Sequence, residues 1–382
     1  MKMENFFSKF RRRIKFNYSK QGVSFDVSQM LFSSAEIDKG TFQLIDSLRK
    51  NNRIDYESIL DVGCGYGPIG IFLKRAHPDS MVHCVDRDSL ALEFTKHNAT
   101  LNNCEIEVYP SLDYQNVKEK FSLICCNYPA KVGISALKRF VYDASRHLKQ
   151  NGIFAIVIKK DLLEDFESIL RDEIEILHKQ KSSSHFVFHL KYKKEITLSE
   201  EPYIRNKVNY KLDDKSYELK TAYSIPEFES PSFTTNAIIK ILSEAQKELD
   251  IFVIDPFQGS VGIAIFHYAR PNKLTLISRD LLSLKYSKEN LINNGFDKIN
   301  LIHKVVVDEE KGDLLIWRID EDLEFDQLKN IFEDVKYNFD RIIIGASKSK
   351  LKKVISSLKL RPLVEKEEGG AMAILIKPRE RN

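Results

Sequence analysis

A glycine-rich turn between two short apolar stretches is the feature that most constrains how this chain can fold. Ser58–Val62 is predicted to be a buried strand, and 69–75 and 81–85 are predicted to be a helix and a second buried strand that leads to Asp86. Three glycines lie between the first strand and the helix, at every second position: Gly63, Gly65 and Gly67. Such residues let the backbone turn sharply and let a ligand approach it closely. The pattern predicts a βαβ unit of an α/β fold with a ligand at the turn.

Two acidic residues bear on which ligand binds at this turn. Asp86, at the end of the second strand, is placed to accept both hydroxyls of a ribose. The spacing from Gly65 to Gly70 also fits a dinucleotide-binding loop, and a turn without any ligand is a third interpretation. Asp61 would face a pyrophosphate unfavourably, whereas it suits the positively charged amino and sulfonium groups of S-adenosylmethionine. We therefore expect S-adenosylmethionine as the cofactor, with a dehydrogenase and a structural turn as the alternatives.

Length and composition indicate a globular protein of two or three domains. The chain has 382 residues, of which 43% are hydrophobic and 30% are charged. It contains no apolar run of the length of a membrane span, and its start lacks the pattern of a signal peptide. The five cysteines show no metal-ligand spacing. We expect a cytoplasmic protein with buried thiols, without a metal and without membrane contact.

The net charge of only +4 means that any surface for nucleic acid must be local. Basic residues and interleaved phenylalanines crowd the start of the chain: Phe6, Phe7, Lys9, Phe10, Arg11, Arg12, Arg13, Lys15, Phe16 and Lys20. This stretch is interpreted either as an arm that contacts phosphates or as a solvated basic edge whose rings pack on the domain. A second basic stretch, from Lys348 to Arg361, is interpreted either as a phosphate-binding surface or as an ordinary solvated helix face.

The end of a later strand carries the candidates for holding the methyl acceptor. A predicted strand over 121–126 runs into Asn127, Tyr128, Pro129 and Ala130. Because open α/β sheets bind ligands at the carboxyl ends of their strands, we expect this corner to face the cofactor. The Asn127 carboxamide can accept a hydrogen bond from an amine held for attack, and Pro129 fixes the neighbouring backbone.

Asp113 follows the predicted strand over 106–109 and is a further candidate for the cofactor site. An acid or a backbone N–H at this position could meet the adenine amino group. An ordinary turn aspartate is the alternative interpretation.

The second half of the chain repeats the pattern of the first. Strand counting ends the first domain near residue 192, so we expect domains at 1–194 and 195–382. Segment 274–290 aligns with 82–98 without gaps, which places Ser278 at the position of Asp86. Segments 339–344 and 370–377 are matched to 121–126 and 152–159. A repeat of this size indicates a duplicated domain.

The second copy is expected to lack the groups that handle cofactor and acceptor. In this alignment Phe257 stands for Gly63, Gly345 stands for Asn127 and Ser347 stands for Pro129. The apolar strand pattern persists all the same. We therefore expect a degenerate second domain that keeps the scaffold without the chemistry.

Taken in order, these motifs resemble the methyltransferase small family. The resemblance is carried by Phe32-Ser33, by Ile37-Asp38-Lys39-Gly40-Thr41, by Leu60-Asp61-Val62-Gly63-Cys64-Gly65-Tyr66-Gly67, by Asp86 with Asn98, and by Asn127 with Pro129. The duplicated organisation is similar to that of the family's ribosomal RNA guanine-N2 methyltransferases, which pair one active with one degenerate domain. The resemblance implies two tandem class I methyltransferase domains of seven-stranded, Rossmann-like fold. It also implies an exocyclic guanine amine as acceptor, with Asn127 and Pro129 as the catalytic positions.

Two features depart from that family. Its ribosomal RNA guanine-N2 methyltransferases usually place the degenerate copy first, whereas here it is second. Their acceptor motif is Asn-Pro-Pro followed by an aromatic residue, whereas this chain has Tyr128 in place of the first proline and Ala130 in place of the aromatic residue.

The leading hypothesis is in-line methyl transfer from S-adenosylmethionine to RNA, without a metal or a covalent nucleophile. Guanine N2 of ribosomal RNA is the first choice of acceptor, and transfer RNA is the second. The expected cofactor-binding residues are Asp61, Gly63, Gly65, Gly67, Asp86 and Asp113. Two alternatives are a protein glutamine N-methyltransferase and a non-catalytic RNA-binding or ribosome-assembly factor.

Overall fold

The computed structural model describes residues 12–18, 21–31, 36–51, 56–198, 201–244, 249–305, 307–319 and 325–378. The contacts divide the chain into a first unit, Phe7–Tyr203, and a second unit that contains Ile204–Asn382. The rest of the first unit contacts four residues beyond 194, namely Glu195, Ile196, Leu198 and Tyr203. Lys120 Nζ, for example, donates to Glu195 Oε1 at 2.7 Å. The division expected from the sequence between residues 194 and 195 stays a prediction.

The first unit consists of a hairpin followed by a seven-stranded sheet with helices. Its strands are β1 (Arg12–Tyr18), β2 (Gln21–Val27), β3 (Ser58–Val62), β4 (Met81–Asp86), β5 (Glu107–Pro110), β6 (Phe121–Asn127), β7 (Leu148–Lys159), β8 (Ile174–Lys181) and β9 (His185–Tyr192). Its helices are α1 (Lys39–Lys50), α2 (Pro68–Ala76), α3 (Ser89–Leu101), α4 (Ile134–His147) and α5 (Leu163–Ser168). The strand order in the sheet is β5-β4-β3-β6-β7-β9-β8. Strands β3 to β7 pair in parallel, whereas β9 is antiparallel to both of its neighbours.

Local sequence explains the elements that surround the glycine-rich turn. Strand β3 is buried along its whole length, as expected for a short apolar run in a sheet that is covered on both faces. Helix α2 begins after Gly67, which has φ of 88°, and Pro68 occupies its first turn, where no backbone donor is needed. Helix α3 begins after Asp88, which caps it by accepting from the backbone N–H of Leu90 at 2.9 Å. These signals fix the turn between β3 and α2.

The second unit repeats this organisation. Its strands are β10 (Ile204–Leu212), β11 (Lys215–Ala222), β12 (Asp250–Ile254), β13 (Lys273–Ser278), β14 (Ile299–His303), β15 (Gly312–Arg318), β16 (Phe339–Ser347), β17 (Pro362–Glu368) and β18 (Ala371–Ile376). Its helices are α6 (Phe233–Leu242), α7 (Ser260–Tyr268), α8 (Leu281–Asn293), α9 (Phe325–Val335) and α10 (Lys348–Leu358). The sheet order is β14-β13-β12-β15-β16-β18-β17, which corresponds to that of the first unit strand by strand. The predicted fold of two tandem seven-stranded, Rossmann-like units is confirmed.

Two asparagines hold the hairpin in the same way in both units. Asn98 Oδ1 accepts from the backbone N–H of Asp26 at 2.8 Å, and Asn98 Nδ2 donates to the carbonyl of Asp26 at 2.9 Å. Asn290 makes the same pair of bonds to Lys220, at 2.8 and 2.9 Å. The predicted correspondence of Asn98 and Asn290 therefore extends to their hydrogen bonds.

Two strand correspondences inferred from the sequence are wrong. Strand β16, which contains 339–344, takes the sheet position of β7 and not that of the strand over 121–126. Strand β18 takes the position of β9 and not that of 152–159. Because β15 pairs with β12 as β6 pairs with β3, the residue at the position of Asn127 is Arg318 and not Gly345.

The glycine correspondence also shifts by two residues. The backbone N–H of Gly63 donates to the carbonyl of Val85 at 2.8 Å, and the backbone N–H of Asp255 donates to the carbonyl of Ile277 at the same distance. Asp255 therefore stands at the position of Gly63, and Phe257 stands at the position of Gly65.

Candidate cofactor and acceptor site

The first two glycines of the turn border open space. Gly63 has φ of 73° and Gly65 has φ of 59°, and a Cβ atom built on either residue would meet nothing within 4 Å. Gly67 differs, since a Cβ there would lie 2.8 Å from the side chain of Ile71. The turn thus offers bare backbone to a ligand at its first two glycines, whereas the third glycine serves helix packing.

Hydrogen bonds hold this turn against strand β4 and helix α3. The backbone N–H groups of Gly63 and Cys64 both donate to the carbonyl of Val85, at 2.8 and 3.0 Å. Thr95 Oγ1 donates to the carbonyl of Gly65 at 2.8 Å. The loop is therefore ordered before a ligand arrives, which reduces the entropy lost on binding.

Asp61 lies fully buried at the end of β3. Its Oδ2 accepts from the backbone N–H of Gly70 at 2.9 Å, while its Oδ1 has no hydrogen-bond partner among the described residues. Burial raises the pKa of Asp61 to about 7. A buried carboxylate oxygen without a donor favours a nearby positive charge, so Asp61 fits a cationic ligand.

Asp86 ends strand β4 beside the same turn. Its Oδ2 accepts from the backbone N–H of Gly65, and its Oδ1 accepts from the backbone N–H of Asp88, both at 2.9 Å. These bonds fix the direction of the carboxylate and leave each oxygen a second lone pair, which suits a pair of ribose hydroxyls. Burial raises the pKa of Asp86 to about 6.

Asp113 lies in a turn after β5 with φ of 49°. The hydroxyl of Tyr203 donates to its carboxylate, and Ser111 Oγ donates to its backbone carbonyl at 2.7 Å. Tyr203 is buried and lies 90 residues further along the chain, and no sequence pattern points to it. A role of Asp113 toward adenine stays a prediction, and Tyr203 shares that carboxylate.

The Asn127 carboxamide has one fixed orientation at the end of β6. Its Nδ2 donates to Asp38 Oδ2 at 2.8 Å and to Thr41 Oγ1 at 3.0 Å. Because an ionised carboxylate can only accept, the amide nitrogen must be the atom that faces Asp38. Asp38 is itself held, since it caps helix α1 by accepting from the backbone N–H of Gly40 at 2.8 Å. No described donor reaches Asn127 Oδ1, so this oxygen can accept a hydrogen bond from a substrate N–H.

The other residues of this corner point in different directions. Pro129 is exposed. Tyr128 is buried, and its ring packs against Phe140 with centroids 5.1 Å apart. Tyr128 therefore does not take over the role of the aromatic residue that the family has at the position of Ala130. Asn127 and the glycine turn lie at the carboxyl ends of neighbouring strands, because β6, which ends at Asn127, pairs in parallel with β3, which leads into the turn.

The corresponding crevice of the second unit is filled by its own side chains. The guanidinium carbon of Arg318 lies 3.3 Å from the ring centroid of Phe257, which stands at the position of Gly65. Arg318 also donates to the buried carboxylate of Glu227 at 2.8 Å and to the carbonyl of Asp255 at 3.0 Å. Ser278, at the position of Asp86, donates to the Asp255 carboxylate at 2.7 Å. This arrangement leaves neither bare glycine backbone nor a ribose acid.

The first basic stretch lies only partly within the described residues, whereas the second lies within them completely. Arg12, Arg13, Lys15 and Phe16 lie in strand β1, whereas Phe6, Phe7, Lys9, Phe10, Arg11 and Lys20 lie outside the described residues. Arg13 donates to Asp26 at 2.7 and 2.9 Å, so it is committed to the hairpin. In the second stretch, Lys348 begins helix α10 and pairs with Glu367 at 2.6 Å.

Two broader features concern thiols and membranes. All five cysteines are free thiols, and four of them are buried. Within the described ranges, no helix combines the length and the apolar character that a membrane span requires.

Comparisons with known proteins agree with this geometry. Residues 22–189 match the family described as Methyltransferase small domain. The chain is 32% identical over 175 residues to the uncharacterized protein YbxB of Bacillus subtilis, a match that covers 44% of this chain and 85% of that protein. It is 34% identical over 131 residues to ribosomal RNA small subunit methyltransferase C of Haemophilus influenzae, and this match covers 33% of the chain but only 39% of that relative.

A solved structure is similar in fold over nearly the whole chain. It is that of the Thermus thermophilus 16S rRNA N2 G1207 methyltransferase RsmC in complex with AdoMet and guanosine. The TM-score is 0.70 at 12% identity, and the match covers 96% of this chain and 98% of that one. At this identity the likeness concerns the fold.

Proposed function

The chain belongs to the methyltransferase small domain family, and on this premise we propose that it methylates an exocyclic amine of RNA. Its cofactor is S-adenosylmethionine. Guanine N2 of ribosomal RNA is the proposed acceptor, with transfer RNA as the second choice. A cytoplasmic location stays a prediction.

The orientation of Asn127 is the observation that carries the proposal. Asp38 and Thr41 take up both hydrogens of the Asn127 amide group, so the carbonyl oxygen is the part left for a substrate. An acceptor atom at this corner selects a substrate that brings an N–H group. The exocyclic amine of guanine has two N–H groups, and it is neutral near pH 7, so it needs no general base before attack.

The residues of the first unit divide the work of positioning. When bound, S-adenosylmethionine supplies an electrophilic methyl group on a sulfonium. Asp86 would accept hydrogen bonds from the ribose hydroxyls, and Gly63 and Gly65 would let the ligand approach the backbone. The carboxylate of Asp61 would stabilise the positive charge of the ligand. Asn127 Oδ1 would accept a hydrogen bond from one N–H of the incoming amine and so direct the nitrogen lone pair toward the methyl carbon. The new C–N bond would replace the bond from carbon to sulfur, which leaves a neutral thioether, and the methylated nitrogen would release its extra proton to water. Such alignment of two reactants is itself a large part of the rate enhancement.

Two relatives support RNA as the substrate class. The Haemophilus relative is by name a ribosomal RNA methyltransferase, and the Thermus structure is by title an N2 methyltransferase that holds guanosine. A base in a loop or a single strand is the accessible form of such a substrate, because a paired base hides its exocyclic amine.

Methyl transfer from labelled S-adenosylmethionine tests the proposal. The full-length protein is offered ribosomal RNA, small ribosomal subunits, transfer RNA and a release-factor-like protein, and the products are digested and identified by mass spectrometry. We expect N2-methylguanosine in ribosomal RNA, lost in Asn127→Ala and kept in the control Asn206→Ala, which changes an exposed asparagine of the second unit.

Either alternative would give a different result in that assay. Label on a glutamine side chain of the protein would identify a protein methyltransferase. RNA binding without any binding of S-adenosylmethionine would identify a non-catalytic factor. Both results would contradict the proposal.

A further inference from the structure

Two adjoining grooves lie beside the residue that holds Asn127. The first has an open volume of about 580 Å³, between strand β1 and the start of helix α1. The second has an open volume of about 590 Å³, between residues 36–39 and the end of β7. Glu36 and Lys39 line both grooves, and Asp38, which bonds Asn127, lines the second. Each volume lies within the range of about 300–1,000 Å³ that small ligands need.

Five exposed basic side chains line these grooves. They are Arg12, Lys15, Lys39, Lys159 and Lys160. All five are exposed, and in the described part of the chain none of their side chains makes an ion pair or a hydrogen bond. Other lysines of the unit are neutralised: Lys50, Lys120, Lys149 and Lys179 each contact a carboxylate oxygen within 2.8 Å.

The carboxylates of the grooves do not cancel this charge. They are Glu36, Asp38 and Asp161. Asp38 is committed to the start of helix α1 and to Asn127. The grooves therefore keep an excess of positive charge over a surface that includes Asp38, the hydrogen-bond partner of Asn127. Cations of this kind attract phosphates and make binding depend on salt.

The rings on the wall of the first groove add a second kind of contact. Phe16 and Phe42 meet edge to face with centroids 6.1 Å apart, and Phe42 is 39% exposed. Aromatic surface among cations is the usual composition of a path for single-stranded nucleic acid, since bases stack while phosphates pair with the cations.

We propose that the two grooves bind the backbone of single-stranded RNA on either side of the target nucleotide. Lys39 lies where the grooves meet, next to Asp38, so the nucleotide between the two bound segments is the one that reaches Asn127. This inference rests on the proposed function, because it takes RNA as the substrate. It adds the path by which the strand crosses the first unit.

Paired substitutions with a matched control test this path. Arg12→Ala with Lys15→Ala removes two cations from the first groove, and Lys159→Ala with Lys160→Ala removes two from the second. The control is Lys118→Ala with Lys193→Ala. These two lysines are exposed and unpaired among the described residues. They precede β6 and follow β9, so they lie near the amino ends of the parallel strands, whereas Asn127 and Lys159 lie at the carboxyl ends.

The readout is the affinity of the full-length protein for a fluorescein-labelled single-stranded oligoribonucleotide over a series of salt concentrations. Removing one cation that pairs with a phosphate should reduce the slope of log affinity against log salt by about 0.7, so the slope of each groove variant should fall by about 1.4. The control should keep the slope of the unmodified protein. Groove variants that behave like the control would overturn the inference.

Further readouts separate this inference from the proposed function. Calorimetry should show unchanged binding of S-adenosylmethionine in all three variants. RNA methylation by the unmodified protein with unchanged RNA binding in the groove variants would overturn the path alone. Weaker RNA binding in the groove variants without methylation by the unmodified protein would support the path and contradict the proposed function. Polyglutamate that displaces the RNA at equal charge concentration would instead indicate an acidic protein partner and overturn the inference.

Discussion

Replacing Asn127 by aspartate tests the hydrogen bond on which the acceptor corner depends. The substitution puts a carboxylate oxygen where the amide nitrogen donates to Asp38 Oδ2 at 2.8 Å. Two unit charges at that separation repel by about 6 kcal/mol at an effective dielectric constant of about 20. Protonating one ordinary carboxyl at pH 7 costs only about 4 kcal/mol, so the pair takes up a proton and the cost cannot exceed that value. Because both side chains are partly exposed, screening lowers the expected loss to roughly 2–4 kcal/mol.

The pH dependence distinguishes this repulsion from the simple removal of a hydrogen bond. Proton uptake becomes easier by about 1.4 kcal/mol for each unit of falling pH. The deficit in unfolding free energy of Asn127→Asp should therefore shrink between pH 8 and pH 5, whereas that of Asn127→Ala should stay constant. Calorimetric unfolding of both variants and of the unmodified protein over that range measures the difference.

A second substitution removes the repulsion. Asp38→Asn, combined with Asn127→Asp, leaves a single negative charge, so the pH dependence of the deficit should disappear. Part of the stability should stay lost, because the Asp38 oxygen that accepts from Asn127 also accepts from the backbone N–H of Gly40 at the start of helix α1. An equal deficit for Asn127→Asp and Asn127→Ala at every pH would refute an orientation in which the amide nitrogen of Asn127 faces Asp38.

Three further results are expected. Gly65→Ala adds a methyl group in open space, so its cost in unfolding free energy should be only the about 1–2 kcal/mol of the left-handed backbone, but calorimetry should show weaker binding of S-adenosylmethionine. Gly67→Ala should mainly lower the unfolding temperature, and the reverse pattern would contradict the site. Burial raises the pKa values of Asp61 and Asp86 to about 7 and about 6. The affinity for the cationic S-adenosylmethionine should therefore fall as both carboxylates take up protons between pH 8 and pH 5.5. An affinity that does not change with pH would argue against the role of these two residues. Arg318→Ala removes the ion-pair partner of the buried Glu227 carboxylate and should lower the unfolding free energy by about 3–5 kcal/mol without changing the binding of S-adenosylmethionine. Weaker binding of S-adenosylmethionine would indicate that the ligand binds in the second unit, contrary to the account.

Local patterns predict the glycine turn well, because each signal there acts within a few residues. Strand β3 has the bounds that the sequence predicts, and helix α2 extends one residue beyond its prediction at each end. Glycine spacing and the proline after Gly67 suffice for this region, since they restrict the backbone directly. Helix α4 is absent from the prediction, although its buried face includes Leu137 and Phe140.

The correspondence of the two units shows where local patterns fail. Strands β15 and β16 are both short apolar runs, so their composition does not tell which of them takes the position in the second sheet that β6 takes in the first. The pairing of β15 with β12 settles the matter, and it depends on contacts between residues some 60 positions apart. For the same reason the sequence does not identify Arg318 as the residue at the position of Asn127.

The candidate site also depends on contacts that are distant in sequence. The residue type and the strand end predict Asn127, but only its contact with Asp38, 89 residues earlier, shows which face of the carboxamide is left for a substrate. Tyr203 is missing from the prediction because nothing near it in the sequence points to Asp113. Side-chain pairs of this kind become visible only when the fold brings them together.

A calorimetric titration of the full-length protein with S-adenosylmethionine tests most directly the claim that one of the two duplicated units has kept the cofactor site. We predict one site per chain, lost in Asp86→Ala and retained in Ser278→Ala. Two sites per chain, or a site that survives Asp86→Ala and disappears in Ser278→Ala, would contradict it.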